Sequence, residues 1–239
     1  MRWIIFLLLL LMVPLSCALE INIGVNPELE GVLSNFEFTS GPVQSFSVTW
    51  DNIGSISCIS RARIDFKRNG ELVHQVYSEE SKVPTGKSVT WNLYSSLPKG
   101  NYTFYLFIDH CYGRFAFGPY NLTVVEEPPV DNWFEAQQIS NTKDTITISV
   151  KSKQDTGPVV VVAEKYPQGW MFQSSVIEKL PKDVSKEIQL HYRPQIWKEE
   201  NITLSVISLD GRHKTEKQIT LKEYPTLWDW LVFMFRLLI

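Results

Sequence analysis

Three cysteines, four histidines and three Asn-x-Thr triplets are the residues of this 239-residue chain whose types could do chemistry. Cys17 falls in an apolar leader, which leaves Cys58 and Cys111. In an exported chain an even pair reads as a disulfide; the competing reading is two buried free thiols. Asp109-His110-Cys111 sets a carboxylate, a base and a nucleophile side by side. Adjacent residues on a strand point to opposite faces, a poor geometry for proton transfer. His74, His110, His191 and His213 lie far apart, without metal-ligand spacing. The sequence has no Gly-x-Ser-x-Gly elbow and no phosphate-cradling glycine loop. No catalytic residue, metal or cofactor is therefore expected.

Modification and ligand stacking are the remaining chemistries. Asn101, Asn121 and Asn201 each begin an Asn-x-Thr triplet at the opening of a strand pattern, with Asn and Thr on the face opposite the apolar residues. A glycan needs that exposure, although threonine on a polar strand face produces the same pattern. Trp170 and Trp197 are the candidates for stacking on a sugar; a core position is the alternative for each.

The ends of the chain set the compartment. Met1-Arg2, the apolar run Trp3 to Val13 and the exit Pro14-Leu15-Ser16-Cys17-Ala18 read as a signal peptide over 1–18, cleaved after Ala18. An uncleaved anchor and a lipid on Cys17 are the alternatives. Residues 226–239 are apolar on nearly every side of a helix, with Asp229 and Arg236 near one stripe. Leu227, Trp228, Trp230, Leu231, Phe233, Phe235 and Leu238 would grip a membrane or the apolar groove of a membrane-protein partner. Folding back onto the body is the third reading. The net charge of −3 comes with no basic stripe, so nucleic acid is not an expected partner.

Between these ends the elements that must position the cysteines alternate with period two. Phe46, Val48 and Trp50 share a face, as do Ala62, Ile64 and Phe66, and Tyr102, Phe104, Leu106 and Ile108. Asn69-Gly70 is a tight hairpin signal. Asn52-Ile53-Gly54 ends a strand, and is expected to supply the positive backbone angles a loop needs. Glu126-Glu127-Pro128-Pro129 reads as a linker. Beyond it, Thr145 to Val150 alternates, Val159 to Val162 is wholly apolar, and Asp210-Gly211 turns into a last strand near Leu221. The expected fold is all-β: two tandem immunoglobulin-like sandwiches, 19–126 and 131–223, joined by 127–130, with a short hydrophobic C-terminal helix.

The order Asn52-Ile53-Gly54, the hairpin around Asn69-Gly70, Pro84-Thr85-Gly86, and Gly100-Asn101-Tyr102 running to Asp109 resembles the cell-adhesion-related domain found in bacteria (CARDB) over residues 44–125. That resemblance implies an immunoglobulin-type order in which the Cys58 and Cys111 strands are neighbours, so the two thiols meet at one end. The chain departs from the family at His110-Cys111-Tyr112-Gly113. Pro167-Gln168-Gly169-Trp170 and Leu180-Pro181 give residues 131–222 a fainter similarity to the sandwich module associated with alpha-galactosidases.

These readings lead to the expectation of a non-catalytic exported or cell-surface protein with a structural, adhesive or protein-interaction role, its tail held in a membrane or complex. The alternatives are an accessory subunit of a membrane-bound enzyme or transporter, and a carbohydrate-binding accessory module that meets surface glycans.

Overall fold

The computed structural model describes residues 30–142, 144–194 and 199–221, and these are all-β. The N-terminal half contains β1 (Gly31–Thr39), β2 (Gln44–Asn52), β3 (Cys58–Arg68), β4 (Glu71–Tyr77), β5 (Ser81–Val83), β6 (Ser88–Ser95), β7 (Gly100–His110) and β8 (Gly113–Val124). One sheet runs β1-β2-β6; the facing sheet runs β4-β3-β7-β8, with β5 on the first residues of β3. The alternation dictates this layering. Every second side chain of β2, β3 and β7 is apolar, and burying one face requires a second sheet above it. Phe46, Val48, Trp50, Ile64, Phe66, Phe104, Leu106 and Ile108 fill the space between them. Asn69 and Gly70 both carry positive φ, 54° and 85°, as the Asn-Gly hairpin signal requires.

The C-terminal half repeats the plan with β9 (Phe134–Asn141), β10 (Thr145–Ser152), β11 (Val159–Lys165), β12 (Met171–Phe172), β13 (Ser175–Ile177), β14 (Ser185–Arg193), β15 (Glu200–Ser208) and β16 (Lys214–Leu221). Its sheets run β12-β14-β10-β9 and β13-β11-β15-β16. Ile146, Ile148, Val150, Val161, Leu204 and Val206 lie between them. Trp170 is in this core at 2% exposure, packed with Phe172 and Tyr192.

The unbroken apolar run of β11 has a physical reason. Val159, Val161 and Ala163 face the C-terminal core. Val160 and Val162 face the other way, into a small cluster with Ile207, Val43 and Tyr94 that seals the two halves together. A strand buried on both faces cannot alternate. Polar contacts support the joint. The Tyr166 hydroxyl donates to the Gln75 carbonyl at 2.7 Å, and Gln173 Nε2 donates to the Ser78 carbonyl at 3.2 Å. Gly211 sits so close under the Pro42 ring that a Cβ there would overlap it. Lys214 Nζ bridges Glu164 and Glu216, each at 2.9 Å, almost out of solvent. Past the prolines, the Asp131 N–H donates to the Lys214 carbonyl, and its carboxylate meets His213 Nδ1, both at 2.7 Å.

Candidate functional site

Cys58 opens β3, and Cys111 follows the last residue of β7. These strands are antiparallel neighbours, with Ser60 opposite His110, so both cysteines stand at one pole of the N-terminal half. They are joined as a disulfide, with Cα atoms 4.9 Å apart. The Cys111 N–H donates to the Ile59 carbonyl at 3.0 Å, which places the staple on an existing ladder.

Asn52 ties the same pole a second way, and here the sequence expectation needs correcting. Neither Asn52 nor Gly54 has positive φ. Asn52 is instead fully buried, and its side chain is a cross-brace. Its Nδ2 donates to the Ile56 carbonyl at 2.8 Å and to the Val83 carbonyl at 2.9 Å, while its Oδ1 accepts from the Gly54 N–H at 3.0 Å. Its own N–H donates to the Lys87 carbonyl, and its carbonyl accepts from the Gly86 N–H. The loop after β2, the loop after β5 and, through the disulfide, the β7–β8 turn are thus fastened to one another. A buried amide is retained only where its donors and acceptor are met, as here.

Under this brace lies a sealed polar cluster. Trp50 Nε1 donates to His110 Nδ1 at 3.0 Å, and the Ser60 hydroxyl lies 2.7 Å from the same nitrogen. A nitrogen that accepts from tryptophan carries no proton, so the neutral ring holds its proton on Nε2 and Ser60 must donate. Burial pushes His110 below the ordinary histidine range, against the pull of the Glu30 carbonyl. Ser60 and His110 are both 1% exposed, so no substrate reaches them. Asp109 points to the opposite face. Burial would raise its carboxyl, but hydrogen bonds from Arg114 at 2.6 Å and Arg61 at 3.0 Å outweigh that and hold it below the ordinary range. Asp109, His110 and Cys111 therefore form no nucleophile and base.

The pole exposes apolar side chains alongside polar ones such as Ser55, Ser57 and Lys87. Ile53 is 53% exposed, Ile59 60% and Tyr112 96%, with Ile56 beside them. Isolated exposed apolar side chains are ordinary, but here three stand on loops that are cross-braced at one end and the fourth, Ile59, near the start of β3, so all four are held in place. The sequence carried a signal for it, isoleucines placed among turn residues. The Trp50–Ser60–His110 cluster has no local signal, because only the strand pairing brings it together.

The triplet asparagines are all exposed. Asn101 pairs with Thr123 and Asn121 with Thr103, so two triplets share the outer face of β7 and β8. The third differs from expectation. Thr203 is only 6% exposed, on a central strand between β11 and β16. The leader 1–18, Trp197 and the tail residues of 226–239 lie outside the described residues. Among the described residues no group of three or more His, Cys, Asp or Glu could hold a metal ion. A cavity of about 330 Å³ opens between the halves, lined by Arg68, His74, Tyr102, Glu164 and Lys214. The Tyr102 ring is buried there, which removes it as a stacking platform.

No family model matches the sequence, and no curated protein matches it. Among solved structures the chain is similar to the transglutaminase of red sea bream, at 9% identity and a TM-score of 0.27, over 81% of this chain and 32% of that one. It is also similar to the exo-chitosanase of Amycolatopsis orientalis, at 13% identity and a TM-score of 0.24, over 72% of this chain and 25% of that one. The chain spans about a third of the first protein and a quarter of the second.

Proposed function

We propose that this is a non-catalytic exported protein of two tandem immunoglobulin-like sandwiches, working at the outer face of a cell membrane as a structural or adhesive module. Its C-terminal apolar segment, 226–239, holds it to the membrane or to a membrane-protein partner. The observation that carries this reading is the braced pole, where a disulfide and a buried asparagine fix loops that expose isoleucine and tyrosine. Disulfides persist in oxidising compartments, and pre-ordered loops lose little entropy on contact. The resemblance to CARDB supports the same reading, and in an exporting host that glycosylates, Asn101 and Asn121 carry the glycans.

The test is fractionation and pull-down of the full chain against a chain lacking 226–239. The proposal expects the full chain in the membrane fraction and release on truncation; equal recovery of membrane and partners removes the tail from the mechanism. Co-purification through mild detergent at fixed stoichiometry would favour the alternative of an accessory subunit. The carbohydrate-binding alternative loses Trp170, which is in the core.

A further inference from the structure

We infer that the contact between β4 and residues 166–174 is an acid-released latch, which lets the two halves swing apart while each sandwich stays folded. The device needs neither the tail nor the membrane, so it stands apart from the proposed location.

The halves meet at two separate contacts. One is the apolar seal of Val43, Val160, Val162 and Ile207. The other joins a short run of the C-terminal half to the N-terminal half through hydrogen bonds. The Tyr166 hydroxyl donates to the Gln75 carbonyl at 2.7 Å and accepts from the Gln75 N–H at 3.3 Å. Gln173 Nε2 donates to the Ser78 carbonyl, and Gln173 forms an isolated bridge with Tyr77. The Tyr94 N–H donates to the Ser174 hydroxyl at 3.2 Å. Water can replace each of these bonds once it enters, whereas the seal is held by burial of apolar surface.

His74 sits inside the latch. It is 8% exposed, with the Phe66 ring of its own half at 5.9 Å and the Tyr166 ring at 5.5 Å. Tyr166 spends its one proton on Gln75, so neutral His74 donates from Nδ1 across 3.3 Å, and a second proton must go to Nε2. A buried charge needs a partner, and no carboxylate among the described residues pairs with His74. Glu164 and Glu216 line the same cavity but are held by Lys214 at 2.9 Å, and Glu127 is held by the Lys99 N–H at 2.7 Å. Arg68 and Lys165 bring like charge to that cavity. On the neighbouring strand Asp65 is held by Arg63 at 2.9 Å and by Gln75 Nε2 at 2.8 Å. Tyr77 and Tyr166 stay neutral in acid, their phenols pushed up by burial. Burial pushes His74 itself from 6.5 down to about 4. The closed latch thus refuses a proton that the open one accepts, and acid favours opening from about pH 6.5 downward.

Hydrogen exchange of the full chain, corrected for the intrinsic effect of pH, tests this at pH 7 and at about pH 4.5. The expected result is faster exchange in peptides covering 71–78 and 166–174, by up to about fifty-fold, with β3, β7, β10 and β15 still protected. His74→Phe keeps a ring and cannot take up a proton, so it should hold these peptides closed at both values. If it misfolds by circular dichroism, His74→Gln replaces it. Glu164→Gln separates the latch from the Lys214 ion pair and should leave the acid response in place. Acceleration that survives replacement of His74, or that Glu164→Gln alone abolishes, overturns the inference. So does a chain whose core strands lose protection together with the latch, and so does one whose latch stays closed at the lower pH. None of these outcomes touches the proposed membrane contact.

Discussion

At the scale of single residues, Asn52 and His74 decide most. Asn52→Ala strands the Ile56 and Val83 carbonyls and the Gly54 N–H in a buried place. Each orphaned group costs about 1–3 kcal/mol, less what water and relaxation recover, so urea denaturation should show a loss of about 2–4 kcal/mol. His74 is buried beside Tyr166, whose hydroxyl lies 3.3 Å from Nδ1, and burial pushes its pKa down from 6.5 to about 4. A depressed folded-state pKa means that the unfolded chain takes up the proton first. The contribution is complete above about pH 6.5 and is lost as pH falls toward 4. A shift of that size corresponds to up to about 3 kcal/mol. Stability measured between pH 7 and 4 should fall along this limb, and His74→Leu should flatten it. Asp109, held below the ordinary carboxylate range, contributes in a separate window at lower pH.

At the scale of elements, the β3–β7 pair and its staple hold the pole in register. The disulfide closes a separation of 53 residues. Replacing both cysteines with serine should lower stability by about 2–4 kcal/mol in chemical denaturation while leaving the sheets assembled, because the staple sits at the end of β3, beyond the main apolar cluster. Elements with strong alternation were legible from sequence: β2, β3, β7, β10 and the Asn69-Gly70 hairpin follow from side-chain period and turn chemistry alone. The short strands β5, β12 and β13 were not, since two or three residues carry no period. Asn52 was noticed for the wrong reason. An asparagine before a glycine suggests left-handed backbone, whereas its value here lies in carbonyls from residues up to 31 positions away. The burial of Thr203 has no signal within its own triplet, which reads like the two exposed ones.

At the scale of the whole molecule, two pairs of sheets enclose separate cores and meet through a small apolar seal of Val43, Val160, Val162 and Ile207. Burying a charge there is costly while each core stays intact. Val162→Asp should therefore split thermal unfolding, followed by calorimetry, into two transitions; a single shifted transition would mean that the halves cannot fold apart. The pole lies away from this seal, which leaves its loops exposed. That account stands on an oxidised Cys58–Cys111 pair in the protein as its own cell makes it. The most direct measurement is a non-reducing peptide map of the native protein, alkylated at the moment of lysis. The account predicts one peptide containing Cys58 linked to one containing Cys111; two separately alkylated cysteines would contradict it.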